Sequence, residues 1–548
     1  MNKLIACAFA GIAACAAPSS TLAQETVNID GVEATRVVIA PPLNPLDTSI
    51  RDSLAATYYG ATRDTRAYLD AQKLYYFYGA RHFEPLWLNE TADGSLAYSP
   101  AAEKIIGVFK NAYLEGLRPA DYLTDSISLS RASIDKAASL ETAFTAAVLR
   151  YAQDAYGGRI NPKDVSSSID ERPPQINGPD LLVKLANSDA PDRILDSLDP
   201  TNREFVALKA ELAKFYDGTA EKAVVIPDGP LLKLGVEDNR VSLLRERLDL
   251  PTPDTAADVY DEGVVAAVTE FQTRLGLNAD GIVGPATIAA LNGSGGVDKM
   301  DVIANMERWR WMPRDLGKFH VLVNIPEFRL AIVSDGKPTY STRVVVGKPT
   351  NQTPIFSDQI EFVVVNPYWN VPASIATNEI VPHILANPGY LASQNMEALS
   401  GGKVINASAV DWSQVDPSNL SSLRFRQRPG VGNALGNIKF LFPNNNDVYL
   451  HDTPSKYLFA KSYRAFSHGC VRVQNPMDFA DALLVAEKNL NATTLEAMFG
   501  DSERWVRLQH HIPIHLAYFT LRVGQDGNIR SFGDVYGQNK RLIQLLEQ

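Results

Sequence analysis

Cysteine is scarce in this sequence, with three residues in a chain of 548. Cys7 and Cys15 fall within the first 23 residues, so the rest of the chain carries Cys470 alone. A single thiol excludes an internal disulfide, and in an exported chain an odd cysteine indicates an intermolecular bridge or a reactive group. The plainer alternative is a small buried hydrophobe, a common role of free cysteine. The neighbours of Cys470 decide between these interpretations.

Long hydrophobic runs are also missing. The most apolar stretch, Leu4 to Ala17, is shorter than the roughly 20 residues that a membrane-spanning helix needs. Lys3 before it and the small residues up to Ala23 give residues 1–23 the layout of a secretory signal peptide, with cleavage expected after Ala23. Lipid attachment at Cys15 remains an open alternative. Membrane association is expected only with that lipid or with a retained signal.

An excess of basic residues is absent too. The formal net charge is −11, which argues against nucleic acid as a partner because duplex binding draws its strength from basic patches. With 45% hydrophobic and 21% charged residues, the chain has an ordinary globular composition. Its length predicts roughly three or four domains.

Helical patterns dominate the first half of the chain. Residues 50–216 show apolar spacing near the helical repeat and predict a helical scaffold domain. Residues 230–293 predict a compact three-helix unit, whose third helix starts at Gly284-Pro285 because proline suits a first helical turn. Within it, the segment DGIVGPATIAALN resembles the peptidoglycan-binding module of many wall enzymes. An ordinary helical hairpin remains the alternative, since the apolar positions alone specify only a core.

Strand patterns replace helical ones in the second half. From His320 onward, short β-branched runs separated by turn residues predict a mainly-β domain over residues 300–548. Residues 374–428 break this pattern and predict an inserted cap subdomain. The predicted fold class is therefore multidomain α+β: a helical scaffold, a three-helix module and a mainly-β domain with an insertion.

The segment FSHGCVRVQNP surrounds the single thiol with polar residues. If Ser467 to Gln474 is extended, His468, Cys470 and Arg472 project from one face, and the intervening valines project from the other. A thiol on a polar face, next to a fixed positive charge, indicates a nucleophile rather than core filling.

A thiol nucleophile needs a base and an oxyanion site. We predict that the base is His451, because a hairpin return can bring it beside Cys470 from another strand. His468 would lie about 7 Å along the same strand, beyond hydrogen-bond reach. Gly469 permits an unusual φ and close backbone approach, which predicts an oxyanion hole from the Gly469 and Cys470 N–H groups. A simple turn glycine is an equal alternative at this position.

These motifs carry a family resemblance. The block SHGCVRV, the upstream YLHDTP and the segment GNALGNIKFLFPN resemble the catalytic domain of the L,D-transpeptidases, cysteine enzymes that cross-link peptidoglycan. The order of scaffold, peptidoglycan-binding module and capped catalytic domain resembles the large periplasmic members of Gram-negative bacteria. The resemblance implies a periplasmic location, no cofactor and no metal. The N terminus departs from it, since large members are often membrane-anchored.

The resemblance also implies residue roles. Cys470 would attack the carbonyl between the diamino acid and the terminal D-alanine of a tetrapeptide stem and form a thioester, with His451 as general base. The backbone at His468, Gly469 and Cys470 would hold the oxyanion. Arg472 would contact a substrate carboxylate or order the loop. Two aromatic residues, Tyr449 and Trp369, would line the pocket, although a core role for the tryptophan is at least as consistent with its sequence. The implied partners are a tetrapeptide donor, a diamino acid acceptor and other wall-synthesis proteins.

Other functions stay open at this point. A zinc site from His451, His468 and Cys470 would need a further ligand, for which the sequence offers His510, His511 and His515. A wall-binding protein with a decayed enzyme domain is a second alternative. A third keeps the acyl-enzyme but passes it to water, as an L,D-carboxypeptidase, or to a lipoprotein lysine.

Overall fold

A computed structural model describes residues 24–29, 32–63, 65–91, 95–123, 133–219, 224–227, 229–274, 277–292, 297–414 and 423–548. The predicted signal peptide, residues 1–23, lies outside the described residues, as does part of the predicted cap. Within the described ranges, no helix combines the length and the apolar character that a membrane crossing requires.

The helices, in chain order, are α1 (Pro45–Gly60), α2 (Arg66–Gly79), α3 (Pro100–Lys110), α4 (Ile134–Gly157), α5 (Pro162–Val165), α6 (Gly178–Ala186), α7 (Pro191–Asp196), α8 (Arg203–Asp217), α9 (Arg240–Arg247), α10 (Glu262–Arg274), α11 (Pro285–Asn292), α12 (Lys299–Trp311), α13 (Ala373–Ile375), α14 (Val381–Ala386), α15 (Tyr390–Ser393), α16 (Pro476–Leu483), α17 (Ala492–Glu496) and α18 (Gln538–Glu547).

The strands are β1 (Gln24–Ile29), β2 (Val32–Val37), β3 (Leu88–Glu90), β4 (Leu96–Tyr98), β5 (Phe319–Asn324), β6 (Arg329–Ser334), β7 (Lys337–Gly347), β8 (Phe356–Val365), β9 (Trp369–Asn370), β10 (Met396–Ser400), β11 (Lys403–Ile405), β12 (Leu423–Gln427), β13 (Ile438–Leu441), β14 (Leu450–His451), β15 (Ala465–Ser467), β16 (Val471–Val473), β17 (Arg504–Ala517), β18 (Leu521–Val523) and β19 (Ile529–Ser531).

The chain divides into two compact units, Met1–Arg159 with Gln175–Pro200, and Ile160–Pro174 with Thr201–Gln548. The described part of the first unit is mainly helical around an aromatic core. A fully buried carboxyl group, Glu141 on α4, accepts hydrogen bonds from the Tyr78 hydroxyl at 2.8 Å and the Leu86 N–H at 2.7 Å. These bonds satisfy a polar group that would otherwise destabilise the core.

Helices α9, α10 and α11 form a small cluster within the second unit, with an apolar core of their own. The third of them starts at Pro285, as the sequence predicts. Before it, the Tyr260 hydroxyl donates to the Gly281 carbonyl oxygen at 2.9 Å. Gly281 has a φ of +67°, and a Cβ there would stand 2.8 Å from Val265 Cγ1, so the turn requires glycine.

A nine-stranded mixed sheet forms the centre of the second unit, in the order β15-β7-β16-β14-β13-β8-β17-β5-β6. Its strands are rich in valine, isoleucine and phenylalanine, as expected for strands that contribute to a buried core. The short strands β13, β14 and β16 lie side by side near its middle. They contain or adjoin the residues that the sequence analysis selected for chemistry.

The predicted cap is a separate layer with its own sheet, ordered β11-β10-β12-β9, and its own apolar core. A π-helical turn, Ala376–Ile380, links α13 to α14 within it. The described residues therefore form a mixed α and β protein, with a helical N-terminal region and a mainly-β domain that carries an insertion.

Phe440 provides a test of the central core. It is fully buried on β13, and its ring centroid lies 4.8 Å from that of Phe479. We expect Phe440→Ala to lower the free energy of unfolding by about 3–5 kcal/mol, because it leaves a cavity that neighbours fill only partly. Phe499→Ala, at a 37% exposed phenylalanine, should cost less than about 1 kcal/mol. Denaturant unfolding measures both, and equal losses would contradict this account of the core.

Candidate active site

Two neighbouring strands carry the predicted nucleophile and base. β14 and β16 run parallel, with Leu450 opposite Val471 and His451 opposite Arg472, so the predicted hairpin return is wrong because the two strands of a hairpin are antiparallel. Leu450 and Val471 are fully buried in the apolar core, so alternation directs the next residues to the other face of the sheet. His451 and Arg472 therefore lie side by side on that face, with Cys470 immediately before the start of β16.

The segment around the thiol is not extended throughout, contrary to the assumption made for Ser467 to Gln474. β15 ends at Ser467, β16 begins at Val471, and the three residues between them form a bend. Gly469 has a φ of +122°, a conformation that side chains rarely adopt. The bend breaks the simple two-residue alternation between His468 and Cys470, because the peptide turns at the glycine that separates them.

The Cys470 side chain is half-buried, and it is a free thiol. Its Sγ lies 3.8 Å from the Asp447 carbonyl oxygen, a weak hydrogen bond. Burial raises the pKa of Cys470 to about 11, although hydrogen bonding with Tyr449 and the positive charge of Arg472 act in the opposite direction. At neutral pH the resting group is therefore a thiol, and a thiolate nucleophile requires a base.

His451 is buried, with 4% of its surface exposed. Its Nδ1 hydrogen bonds to the carbonyl oxygen of Asp452. Since a carbonyl only accepts, Nδ1 carries the proton and the lone pair stays on Nε2. Burial lowers the pKa of His451 to about 3, and the charge of Arg472 contributes in the same direction. The imidazole is therefore neutral at pH 7 and able to accept a proton.

The thiol and the imidazole are diagonal neighbours rather than directly opposed. Tyr449 stands between them: its carbonyl oxygen accepts from the Val471 N–H at 3.1 Å, and its ring centroid is 5.7 Å from that of His451. Diagonal positions on adjacent strands are about 7–8 Å apart at Cα, within reach of longer side chains. No hydrogen bond joins Sγ to the imidazole in the described part of the chain.

The backbone around Gly469 is partly engaged. The Gly469 N–H, predicted to face an oxyanion, donates to Ser467 Oγ at 3.2 Å. The same hydroxyl donates to the Cys470 carbonyl oxygen at 2.6 Å, and Thr353 Oγ1 donates to the Gly469 carbonyl oxygen at 2.7 Å. These bonds hold the bend rigidly. Among the described residues, no hydrogen bond of the Cys470 N–H is found.

His468 contacts the cap. Its Nε2 lies 2.8 Å from Glu379 Oε1 in the π-helical turn, and 3.4 Å from Lys348 Nζ. The predicted reason for rejecting it as the base, its distance along a common strand, does not apply because the bend separates the two residues. The structure instead directs the imidazole towards a carboxylate.

The other predicted site residues lie in different surroundings. Arg472 is partly buried, and its Nε is a buried donor without a hydrogen-bond partner among the residues that the structure describes. Tyr449 is half-buried beside the thiol. Trp369, on β9, belongs to the cap sheet and packs against the apolar core of the cap. One residue that the sequence analysis missed is Lys439, which pairs with His451 across β13 and β14 and is 7% exposed.

The histidines considered as additional zinc ligands are distributed elsewhere. His515 is buried with Nδ1 2.8 Å from Ser357 Oγ and Nε2 3.0 Å from the Leu316 carbonyl oxygen. His510 and His511 lie near Glu487 and Glu361. Within the described ranges, no group of three or more His, Cys, Asp or Glu side chains is placed to hold a metal ion.

Fold and site together define a mixed α and β protein with a histidine on one strand of its main sheet and a cysteine immediately before the neighbouring strand. Three family models match the chain: an L,D-transpeptidase catalytic domain (YkuD) over residues 318–490, a "Putative peptidoglycan binding domain" over 238–291 and a scaffold domain over 72–212. The chain therefore carries a catalytic domain of the L,D-transpeptidase family, preceded by a peptidoglycan-binding domain and a scaffold domain. Both family resemblances predicted from the sequence are confirmed.

A curated relative agrees with this assignment. A "Putative L,D-transpeptidase" of Haemophilus influenzae is 33% identical over 242 residues, which are 43% of this chain and 48% of that protein. The chain thus spans about half the length of the relative that it matches.

Two solved structures also align with the chain. An L,D-transpeptidase from Mycobacterium smegmatis is 12% identical with a TM-score of 0.17, and covers 36% of this chain and 58% of its own. The L,D-transpeptidase from Xylanimonas cellulosilytica is 17% identical with a TM-score of 0.18, and the match covers 53% of this chain and 98% of that chain. At these TM-scores neither likeness carries an argument.

The raised pKa of Cys470 predicts slow alkylation in the folded protein. At pH 8 a thiol with a pKa of about 11 contains far less thiolate than an unfolded thiol with the usual pKa near 8.5. We expect iodoacetamide to modify Cys470 on the order of 100-fold more slowly in the native protein than in denaturant, with the native rate rising as pH increases. Mass spectrometry of the Cys470 peptide measures both rates. Equal rates at pH 8 would contradict a raised pKa of Cys470, and a faster native rate would show a resting thiolate.

Proposed function

We propose that the protein is a peptidoglycan L,D-transpeptidase that forms 3-3 cross-links between stem peptides through a thioester on Cys470 and releases terminal D-alanine. The observation that carries the proposal is the placement of Cys470 beside β14, next to a neutral buried His451, within a catalytic domain of this family. A half-buried thiol and an imidazole with an available Nε2 lone pair are the two groups that acyl transfer requires.

Acylation consumes the donor peptide. His451 Nε2 accepts the thiol proton as the sulfur adds to the carbonyl carbon that precedes the terminal D-alanine. The Cys470 N–H supports the resulting oxyanion, because it has no competing hydrogen bond among the described residues. Collapse of the tetrahedral intermediate breaks the C–N bond, and the imidazolium returns the proton to the leaving D-alanine nitrogen. A thioester remains on the sulfur.

Deacylation transfers the acyl group to the acceptor. The side-chain amine of a diamino acid in a second stem adds to the thioester carbonyl, and His451 takes a proton from that amine. Collapse breaks the C–S bond and the sulfur leaves with the proton, so the product is an amide and the enzyme is regenerated. Water in place of the amine would give a trimmed tripeptide instead.

The proposed setting is the periplasm, where the substrate is located. The family of the catalytic domain and the peptidoglycan-binding domain support extracytoplasmic action on peptidoglycan. Tetrapeptide stems are the proposed donors, and other wall-synthesis proteins are the proposed partners. We expect a β-lactam of the carbapenem type to acylate Cys470, because it presents a strained carbonyl to the same nucleophile.

Analysis of muropeptides tests this function. Purified protein is incubated with tetrapeptide-rich peptidoglycan, which is then digested and analysed by mass spectrometry. The proposal predicts 3-3 cross-linked dimers and free D-alanine, both absent with Cys470→Ala. Tripeptides without dimers would indicate transfer to water, and attachment of added lipoprotein would indicate a protein acceptor. Unchanged peptidoglycan would contradict the proposal.

A further inference from the structure

Five side chains lie in register across the sheet at the candidate site. Arg472 on β16 pairs with His451 on β14, and His451 pairs with Lys439 on β13. Lys439 pairs with Val364 on β8, which pairs with Trp505 on β17. Registered residues on neighbouring strands share a face and are about 4.8 Å apart. The predicted base therefore stands between two cationic side chains.

The Lys439 ammonium group lies between the rings of Tyr449 and Trp505, which together form an aromatic slot. Its Nζ is 5.4 Å from the ring centroid of Tyr449 and 5.4 Å from that of Trp505. Ring faces attract an ammonium group, so the slot holds the charge in place without a carboxylate. Trp505 is itself fixed by its Nε1, which donates to Glu503 Oε2 at 3.0 Å. The cation is thus positioned on the floor of the site.

Among the described residues, the ammonium group of Lys439 forms no direct ion pair. In the part of the chain that the structure describes, Lys439 Nζ forms no hydrogen bond and no ion pair, and the nearby Glu503 uses its oxygens for the Tyr368 N–H and the Trp505 indole. By contrast, Lys456 pairs with Asp452. Burial lowers the pKa of Lys439, although the nearby Glu503 carboxylate acts in the opposite direction. A buried cation without a partner favours an anionic ligand.

A second donor on the same face is unsatisfied. The Nε of Arg472 is buried, and no described residue forms a hydrogen bond with it. Two incompletely paired cations on either side of His451 are an arrangement that a ligand with acidic groups would complete. Native proteins rarely leave such groups unsatisfied without a functional reason.

We propose that Lys439 binds the free carboxylate of the terminal residue of the donor peptide, the residue that leaves when Cys470 is acylated. This inference rests on the proposed function. Tyr449 connects the two groups, because it hydrogen bonds with the thiol and forms one wall of the lysine slot. The terminal carboxylate is only a few covalent bonds from the carbonyl that the sulfur attacks, so a carboxylate held by Lys439 places that carbonyl beside Cys470.

This role makes Lys439 a substrate-binding residue that selects donors with a free C terminus. The leaving residue takes its carboxylate with it, so the slot empties when the thioester forms. The remaining acyl group is then no longer held by this contact, and the acceptor can approach the thioester. Arg472, which lies on the other side of His451, is then available to bind another acidic group of the peptide.

Peptide binding to the full-length Cys470→Ala protein tests the inference without turnover. Calorimetry compares a tetrapeptide that ends in D-alanine with the same peptide that ends in D-alaninamide. We expect amidation to weaken binding by about tenfold or more, as loss of a charge-assisted contact does. With Lys439→Met added, the affinity for the acid peptide should fall to that for the amide peptide. With Lys439→Arg, the acid peptide should again bind more tightly than the amide peptide. Lys337→Met, at an exposed lysine on β7, is the matched control and should keep it.

Several outcomes would overturn the inference. In the first two, Lys439→Met either still binds the acid peptide more tightly than the amide, or loses affinity for both equally. In the other two, neither peptide binds, or affinity depends on the carboxylate of the diamino acid rather than on that of the terminal residue. The first two are read from variants whose melting temperature matches the parent. A preserved preference together with unchanged peptidoglycan in the muropeptide assay would contradict the cross-linking function alone, so the two claims fail separately.

Discussion

Replacing Cys470 by alanine is expected to reduce 3-3 cross-link formation by at least about 10⁴-fold, because the thioester has no other nucleophile to form on. The side chain is half-buried, and its removal deletes a single sulfur atom, so the free energy of unfolding should change by no more than about 1 kcal/mol. The rate of dimer formation by mass spectrometry and the melting temperature measure the two effects.

A serine variant tests whether the reaction needs the sulfur atom itself. Cys470→Ser keeps the shape of the site but presents a hydroxyl, which is intrinsically a much weaker nucleophile than a thiol. We expect it to be nearly as inactive as alanine while the peptide still binds. Cross-linking that survives in the alanine variant would place the nucleophile elsewhere and refute the mechanism.

Replacing His451 by glutamine should lower the acylation rate by about 10²- to 10⁴-fold, the usual contribution of a general base. Glutamine fills much of the space of the buried imidazole, which limits the loss of stability. Without the base, reaction requires free thiolate, so the residual rate should rise with pH towards the pKa of Cys470, about 11. Steady-state rates between pH 6 and 10, with D-alanine release as the signal, provide the profile.

Two controls separate the base from a structural role. Added imidazole should restore part of the rate to a second variant, His451→Gly, since a small base can enter the space that the missing side chain leaves. His510→Gln, at a histidine whose side chain is 68% exposed, should match the parent protein throughout. A flat pH profile with no rescue by imidazole would show that His451 serves only to pack the strand.

Alternation along strands explains why part of the site was predictable. Leu450 and Val471 are apolar and buried, so the residues next to them in sequence face the other side of the sheet. This reasoning predicts that Tyr449 and His451 share a face. The helix at Pro285 was predictable for a similarly local reason, because proline fits the first turn.

The bend at Gly469 was not predictable from alternation. Glycine permits many conformations, so its presence allows a φ of +122° without requiring it. The assumed extended segment therefore placed His468 wrongly relative to Cys470. The contact of His468 with Glu379 joins residues 89 positions apart in sequence, and it depends on how the cap folds over this loop.

Lys439 was missed for a topological reason. Its segment, IKFLF, has the pattern of an ordinary strand, and a lysine there is consistent with a solvated face. Its importance depends on the strand order β16-β14-β13-β8-β17, which places residues from five separate segments in one row. Sequence spacing does not encode that order, because β14 and β16 are parallel neighbours while β13 and β14 are antiparallel.

The central claim is that Cys470 becomes acylated by the donor peptide, and trapping that species tests it most directly. Full-length protein is mixed with a tetrapeptide donor whose side-chain amine is acetylated, so that no acceptor amine is present. The mixture is quenched in acid within seconds and analysed by intact and peptide-level mass spectrometry. The account predicts a mass gain equal to the donor minus alanine, located on the Cys470 peptide and removed by hydroxylamine. An adduct on another residue, or product formation without any adduct on Cys470, would contradict it.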